Sequence, residues 1–293
     1  SVLAEKGFFS KDELQTLRQA DSFLQGHPDM KGIPGVDMLE RNLEYTTVKQ
    51  AQSSVHQHGR EGVLCEMYGV ANWDFDFREH KMNGDWMAAL GVTVRVPHLS
   101  LVSMAGESKR DYPASILHQS PWYKDYAAVE DHFARMGVVL SAGKPDCDVL
   151  VLNPIESLWC QAYLGWARWI MNASADVGPY EVRYQQLFHM LTDNHVDFDY
   201  GEEQLMRDKW SLTADADGKA LLRIGNATYR TVLVTNMLTI RPTTLAILDA
   251  FVKAGGQVIF AGELPAYVDA VASDAPAALA ENCCRVGFDE KEI

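Results

Sequence analysis

Short apolar runs, each parted from the next by a stretch with helical signals, recur along this chain and restrict what it can become. They are Val63-Leu64-Cys65, Val92 to Val96, Val149 to Leu152, Thr231 to Thr235 and Gln257 to Ala261. Runs of this length, rich in Val, Leu and Ile and bounded by turn residues, read as strands buried on both faces, which parallel sheets require. A helix fits Tyr45 to His58 and ends at Gly59; another fits Phe77 to Leu90, with Gly84 a mild cost inside it, and closes at Gly91. Trp122 to Leu140 reads as a long amphipathic helix, and a helical stretch ends near Leu191. Pro242 suits the first turn of a helix that runs to Lys253, which Gly255-Gly256 then ends. Strands alternating with helices imply an α/β fold with parallel sheet.

Three segments are less regular. Ser10 can cap a helix on which Leu14, Leu17 and Phe23 share a face. The run HPDMKGIPGVDMLER after it is rich in Gly and Pro and reads as a loop or a short strand with turns. Pro97 to Pro121, with Glu107, Lys109, Arg110 and Asp111 clustered in it, is too long for a simple connection and is either a functional loop or a domain junction. At 293 residues and 47% hydrophobic content the chain has material for about two domains. They are expected at 1–118 and 119–293.

The 40 Asp and Glu against 26 Lys and Arg give a net charge of -14, a field that repels nucleic acid and anionic lipid. No run approaches the length of a membrane span, and SVLAEKGFFSKDELQ lacks the features of a signal peptide. The five cysteines, Cys65, Cys147, Cys160, Cys283 and Cys284, are odd in number and form no CxxC, so neither a disulfide framework nor a zinc site is indicated. That fits a reducing, cytoplasmic setting, though a leader on preceding sequence stays open.

Glu66 stands where the first apolar run should end, between Cys65 and Met67. A carboxylate there is rigidly held on the side of an α/β fold that binds ligands. The alternative is an ion pair with Arg60 or Lys81. In NWDFDFREHK, Trp73 offers a face for stacking on a sugar ring, Asp74 and Asp76 can accept from hydroxyls, and His80 and Lys81 follow on the next helix, with Asp85 placed to pair on its solvated side. His98 ends the strand after Glu66's. Asp37 and Glu107 are candidates for a second carboxylate by position only. Asp197, Asp199, Glu202 and Glu203 collect at a helix start, where helix electrostatics favours acids. GxGxxG, GxxxxGK[ST], HxH and HExxH are all missing, so no nucleotide cofactor and no metal is expected. No strand-elbow Cys with a placed His supports amidotransferase chemistry.

The ordered blocks EYTTVKQAQSSVHQHGREGVLCEMYG, NWDFDFREHKMNGDWMAALGV, VPHLSLVSMAGESKRDYP, SPWYKDYAAVEDHFAR, VLVLNPIESLW and VDFDYGEEQLM resemble large bacterial glycoside hydrolases of the α-L-rhamnosidase type and hydrolases allied with β-galactosidases. The resemblance runs from about Gly32 to Val268. It implies the later part of a (β/α)₈ barrel followed by a flavodoxin-like domain similar to a class I glutamine amidotransferase without its nucleophile. It implies Glu66 at the end of the seventh barrel strand as nucleophile or general base, His98 and Trp73 in the sugar subsite, and Tyr68, Lys109, Arg110 and Tyr112 at its rim. The acid carboxylate belongs on the fourth strand, so the chain is expected to be a fragment of the enzyme. The expected ligand is a glycoside or an oligo- or polysaccharide, with rhamnose favoured over galactose, and the second domain could mediate homo-oligomerisation. The alternative function is a non-catalytic carbohydrate-binding or oligomerisation module.

Overall fold

The computed structural model describes residues 33–39, 45–110, 113–161 and 178–293. The Ser10 helix, Tyr112 and the start of the helical stretch before Leu191 lie outside the described residues. The described chain is mixed α/β, with a five-stranded sheet and one three-stranded sheet that are wholly parallel. It divides into two compact units, residues 33–55 with 60–145, and residues 56–59 with 146–293. The boundary expected at 118/119 therefore falls instead between Pro145 and Asp146. The physical reason is the helix Ala127–Leu140, whose Phe133 packs under the Arg95 guanidinium at 3.8 Å and so ties that helix to the first sheet.

In the first unit, strands β1 (Gly35–Leu39), β2 (Val63–Gly69) and β3 (Val92–Pro97) form a parallel sheet in that order. Helix α1 (Thr46–His58) links β1 to β2, and α2 (Phe77–Ala89) links β2 to β3. The segment HPDMKGIPGVDMLER thus contains a strand, its Val36 and Met38 buried and its Asp37 only half-buried. Alternation of this kind places one side of the strand against the helices. Val36, Met38, Cys65, Met67 and Val92 do so, packing with Val48, Ala51 and Met87. Helix α2 starts at a reciprocal cap: Glu79 N donates to Asp76 Oδ1 at 2.9 Å, and Asp76 N donates to Glu79 Oε2 at 3.0 Å. Helix α3 (Ala127–Leu140) begins five residues later than the expected Trp122, because the intervening residues form turns.

The second unit is built on a five-stranded parallel sheet. Its members are β4 (Val149–Leu152), β5 (Phe198–Gly201), β9 (Thr231–Thr235), β11 (Gln257–Ala261) and β14 (Cys284–Val286), in the order β14-β11-β9-β4-β5. Between β4 and β5 run α4 (Ile155–Trp159) and α5 (Gly178–Asp193). Strand β5 carries Asp199 into the core rather than to a solvated helix start, where it accepts a 2.9 Å hydrogen bond from Tyr229 Oη. Helix α6 (Glu203–Lys209) then leads into an antiparallel meander of β6 (Trp210–Ala214), β7 (Ala220–Ile224) and β8 (Ala227–Tyr229). Two-residue strands β10 (Thr239–Ile240), β12 (Tyr267–Val268) and β13 (Val271–Ala272) make a further small sheet. Helix α7 (Pro242–Lys253) opens on its proline, as expected, and buries Ile247, Leu248 and Phe251 against Val232, Val234, Val258 and Phe260. Helix α8 (Ala275–Ala280) closes that side. No helix among the described residues is long and apolar enough to cross a membrane.

Candidate active site

The alternation that buries Cys65 and Met67 turns Leu64 and Glu66 to the opposite side of β2, away from the helices. Parallel pairing sets Asp37 beside Glu66 on one flank and Val96 on the other. Neighbouring strands are about 4.8 Å apart, so the two carboxylates stand side by side on one face. This face is open: Val96 is 42% exposed. The Glu66 side chain is 40% exposed, and its Oε1 lies 3.8 Å from His98 Nε2, itself on a side chain 36% exposed. His98 sits just past β3, where its backbone N donates to Met67 C=O at 2.8 Å.

The chemistry available is that of an accessible, strand-held carboxylate with an imidazole within 4 Å and a second carboxylate in register. Such a group can take a proton from water or attack an electrophilic carbon directly. Neither Arg60 nor Lys81 is its partner: Lys81 instead pairs with Asp85 one turn along α2, on the solvated side expected for it, and Asp85 also bonds His132 Nε2 at 2.6 Å. Among the described residues no group of three or more His, Cys, Asp or Glu side chains is arranged to hold a metal ion.

The other expected residues divide. Trp73 (38% exposed) and Asp74 lie in the turn that follows β2, with both side chains exposed. Asp76 is taken by the cap of α2. His80 is core, 4% exposed, its Nδ1 2.7 Å from Asp76 C=O, and burial lowers its imidazole below the ordinary value. Lys109 and Arg110 are exposed in a single 3₁₀ turn, Glu107–Arg110, and among the described residues no hydrogen bond or ion pair joins either to Glu66 or His98. Glu107 shares that turn, so of the two positional candidates only Asp37 comes to Glu66.

Tyr68 is a correction. It is 1% exposed and lies in the helix-side core, not at a rim, with its hydroxyl accepting from Arg95 Nη1 at 3.1 Å and donating to His80 C=O at 3.2 Å. The cause is its backbone: φ is +72° at Tyr68 and +62° at Val70, so the strand's two-residue period breaks one step after Met67. Arg95, which no sequence signal marked, points to the same layer because it pairs with Cys65.

In the second unit Glu202 and Glu203 are 1% exposed, not solvated. Burial first, then Glu203 nearby, pushes the Glu202 carboxyl up to about 8, and burial pushes Glu203 up to about 7. Among the described residues neither Glu202 oxygen meets a hydrogen-bond donor, whereas Glu203 Oε1 accepts from Arg241 N at 2.8 Å. The Arg241 guanidinium is committed to Glu156. Cys147 and Cys160, the thiols an amidotransferase reading would need, are respectively half-buried before β4 and exposed after α4.

No family model matches the chain, and no curated protein matches it. Among solved structures it is similar to a rhamnosidase from Novosphingobium sp. PP1Y, at 20% identity and a TM-score of 0.54, over 84% of this chain and 22% of that one. A catalytic mutant of a GH42 β-galactosidase from G. stearothermophilus matches over 82% of this chain and 34% of its own, at 12% identity and a TM-score of 0.49. The chain thus spans about a fifth to a third of the length of these enzymes. The likeness to the rhamnosidase is one of fold: this α/β arrangement recurs within part of a glycoside hydrolase.

Proposed function

We propose that this chain is part of a glycoside hydrolase, in which the first unit is a segment of a (β/α)₈ barrel and the second a flavodoxin-like domain of the amidotransferase type. The observation that carries the reading is Glu66: a strand-held carboxylate on an open sheet face, with Asp37 in register beside it and His98 within 4 Å. Glycosidic cleavage needs a carboxylate so held, as nucleophile or as base for water, and a second one to protonate the leaving oxygen. On this reading Glu66 is the nucleophile or base, and the proton donor sits on an earlier barrel strand. His98 and Trp73 bind the sugar, with Asp74 accepting from its hydroxyls. A terminal α-L-rhamnose is favoured over a β-D-galactose by the resemblance of the sequence blocks to hydrolases of the α-L-rhamnosidase type.

The test is release of nitrophenol from a panel of aryl glycosides, α-L-rhamnoside and β-D-galactoside included, by the protein in its full natural length with and without Glu66→Gln. Turnover on one sugar that falls by about 10²–10⁴-fold in the variant, with sugar binding retained, is the expected result. Turnover indifferent to Glu66 would remove the residue from the chemistry. Sugar binding with no turnover on any glycoside would leave a carbohydrate-binding module.

A further inference from the structure

We infer that Tyr68 is a positioning residue for Glu66, its buried hydroxyl holding the left-handed turn that fixes where the carboxylate and His98 stand. The inference rests on the glycosidase reading of Glu66. Residues two apart on a regular strand share a face, yet Glu66 and Tyr68 do not. The break comes from φ values of +72° at Tyr68 and +62° at Val70, a conformation that side chains with a Cβ rarely adopt and β-branched ones avoid. Such a backbone persists only where its surroundings over-determine it, and it gathers at functional sites.

The surroundings here do so. Tyr68 Oη lies between Arg95 Nη1 and His80 C=O, at 3.1 and 3.2 Å, and its ring packs on His80 with centroids 4.5 Å apart. Arg95 is itself fixed, by Glu130 Oε2 at 2.7 Å and by the Phe133 ring at 3.8 Å. Burial pushes the Tyr68 phenol up to about 12, so it remains a donor across the working pH range. The peptide before the turn is the one whose carbonyl, on Met67, receives His98 N at 2.8 Å. One turn therefore governs both sides of the 3.8 Å gap between Glu66 and His98. Without the hydroxyl the backbone is free to relax toward the ordinary β region, which would swing position 68 onto the Glu66 face and shift the strand end.

Tyr68→Phe keeps the ring and removes the hydroxyl. In the full-length protein, with the folded fraction read by circular dichroism, kcat per folded molecule on the responsive aryl glycoside should fall about 10- to 100-fold with KM within about twofold, the pattern of a misplaced reacting group. Arg95→Lys, which keeps the charge and loses the planar fork, should fall in the same way. A Tyr68→Phe protein with wild-type kcat per folded molecule overturns the inference, as does a rise in KM alone, which would make Tyr68 a sugar contact. If neither variant folds, the role is structural and the inference fails. Absence of turnover in the wild type is a different failure: it removes the glycosidase reading and takes this inference with it.

Discussion

Asp37 faces Glu66 directly across the parallel ladder between β1 and β2, in register and one strand spacing away. On the proposed glycosidase reading, a carboxylate so placed can accept from the hydroxyls of the sugar at Glu66. Asp37→Asn should therefore lower kcat/KM on the responsive glycoside by about 10- to 100-fold, the worth of one hydrogen bond to a charged group. Steady-state kinetics of the variant beside Glu66→Gln tests this; an unchanged kcat/KM would leave Asp37 a structural neighbour.

Glu202 should make the second unit less stable as pH rises. Its carboxyl is pushed up to about 8 in the folded protein against an ordinary 4.5, so between those values the folded state holds a proton that the unfolded state has released. Stability then falls as pH climbs through this window, by on the order of a few kcal/mol. Glu202→Gln, which never ionises, should remove most of that loss, raising Tm at pH 8.5 and leaving it nearly unchanged at pH 4.5. Calorimetry at the two pH values measures the difference.

Gly84→Ala should destabilise the first unit although alanine is the better helix former. A Cβ at Gly84 would stand 2.0 Å from Phe133 Cζ, and that ring is pinned under Arg95 and 7% exposed. Overpacking of this kind costs about 1–3 kcal/mol, more than the roughly 1 kcal/mol gained in propensity. Urea unfolding of the variant gives the sign directly.

Iodoacetamide should label Cys160 and Cys284, which are exposed, and spare Cys65 in the folded protein. Cys65 is wholly buried, and burial pushes its thiol up to about 12, so little thiolate forms at neutral pH. Mass spectrometry after native labelling reads this out. Alkylation at Cys160 should leave glycoside turnover unaltered, since the proposed carboxylate chemistry uses no thiol.

The parallel strands were legible because full burial writes itself as apolar runs: Val149 to Leu152, Thr231 to Thr235 and Gln257 to Ala261 stand where the sequence puts them. The meander from Trp210 to Tyr229 was not, since its strands are short antiparallel ones, and β6, whose Trp210, Leu212 and Ala214 alternate with Ser211 and Thr213, is exposed along its whole length and forms no continuous apolar run. Glu66 and His98 could be paired from the order of their strands. Asp37 could not be ranked, because register across a ladder is not written in either strand alone. Tyr68 misled for a different reason: its spacing from Glu66 is that of a shared face, and nothing in its residue type announces a positive φ. Gly84 read as a helix weakness, whereas its use is to let Phe133 approach.

The switch of faces between Glu66 and Tyr68 means that this segment guards its length more strictly than its letters. Adding or removing one residue between Val63 and Met67 would exchange the two faces of β2, turning the carboxylate into the apolar layer and Cys65 or Met67 toward solvent. Substitutions along the strand can drift within the limits of size and polarity. A change in count is barred, and that makes the spacing from Val63 to Tyr68 the feature by which a distant relative of this chain should be aligned.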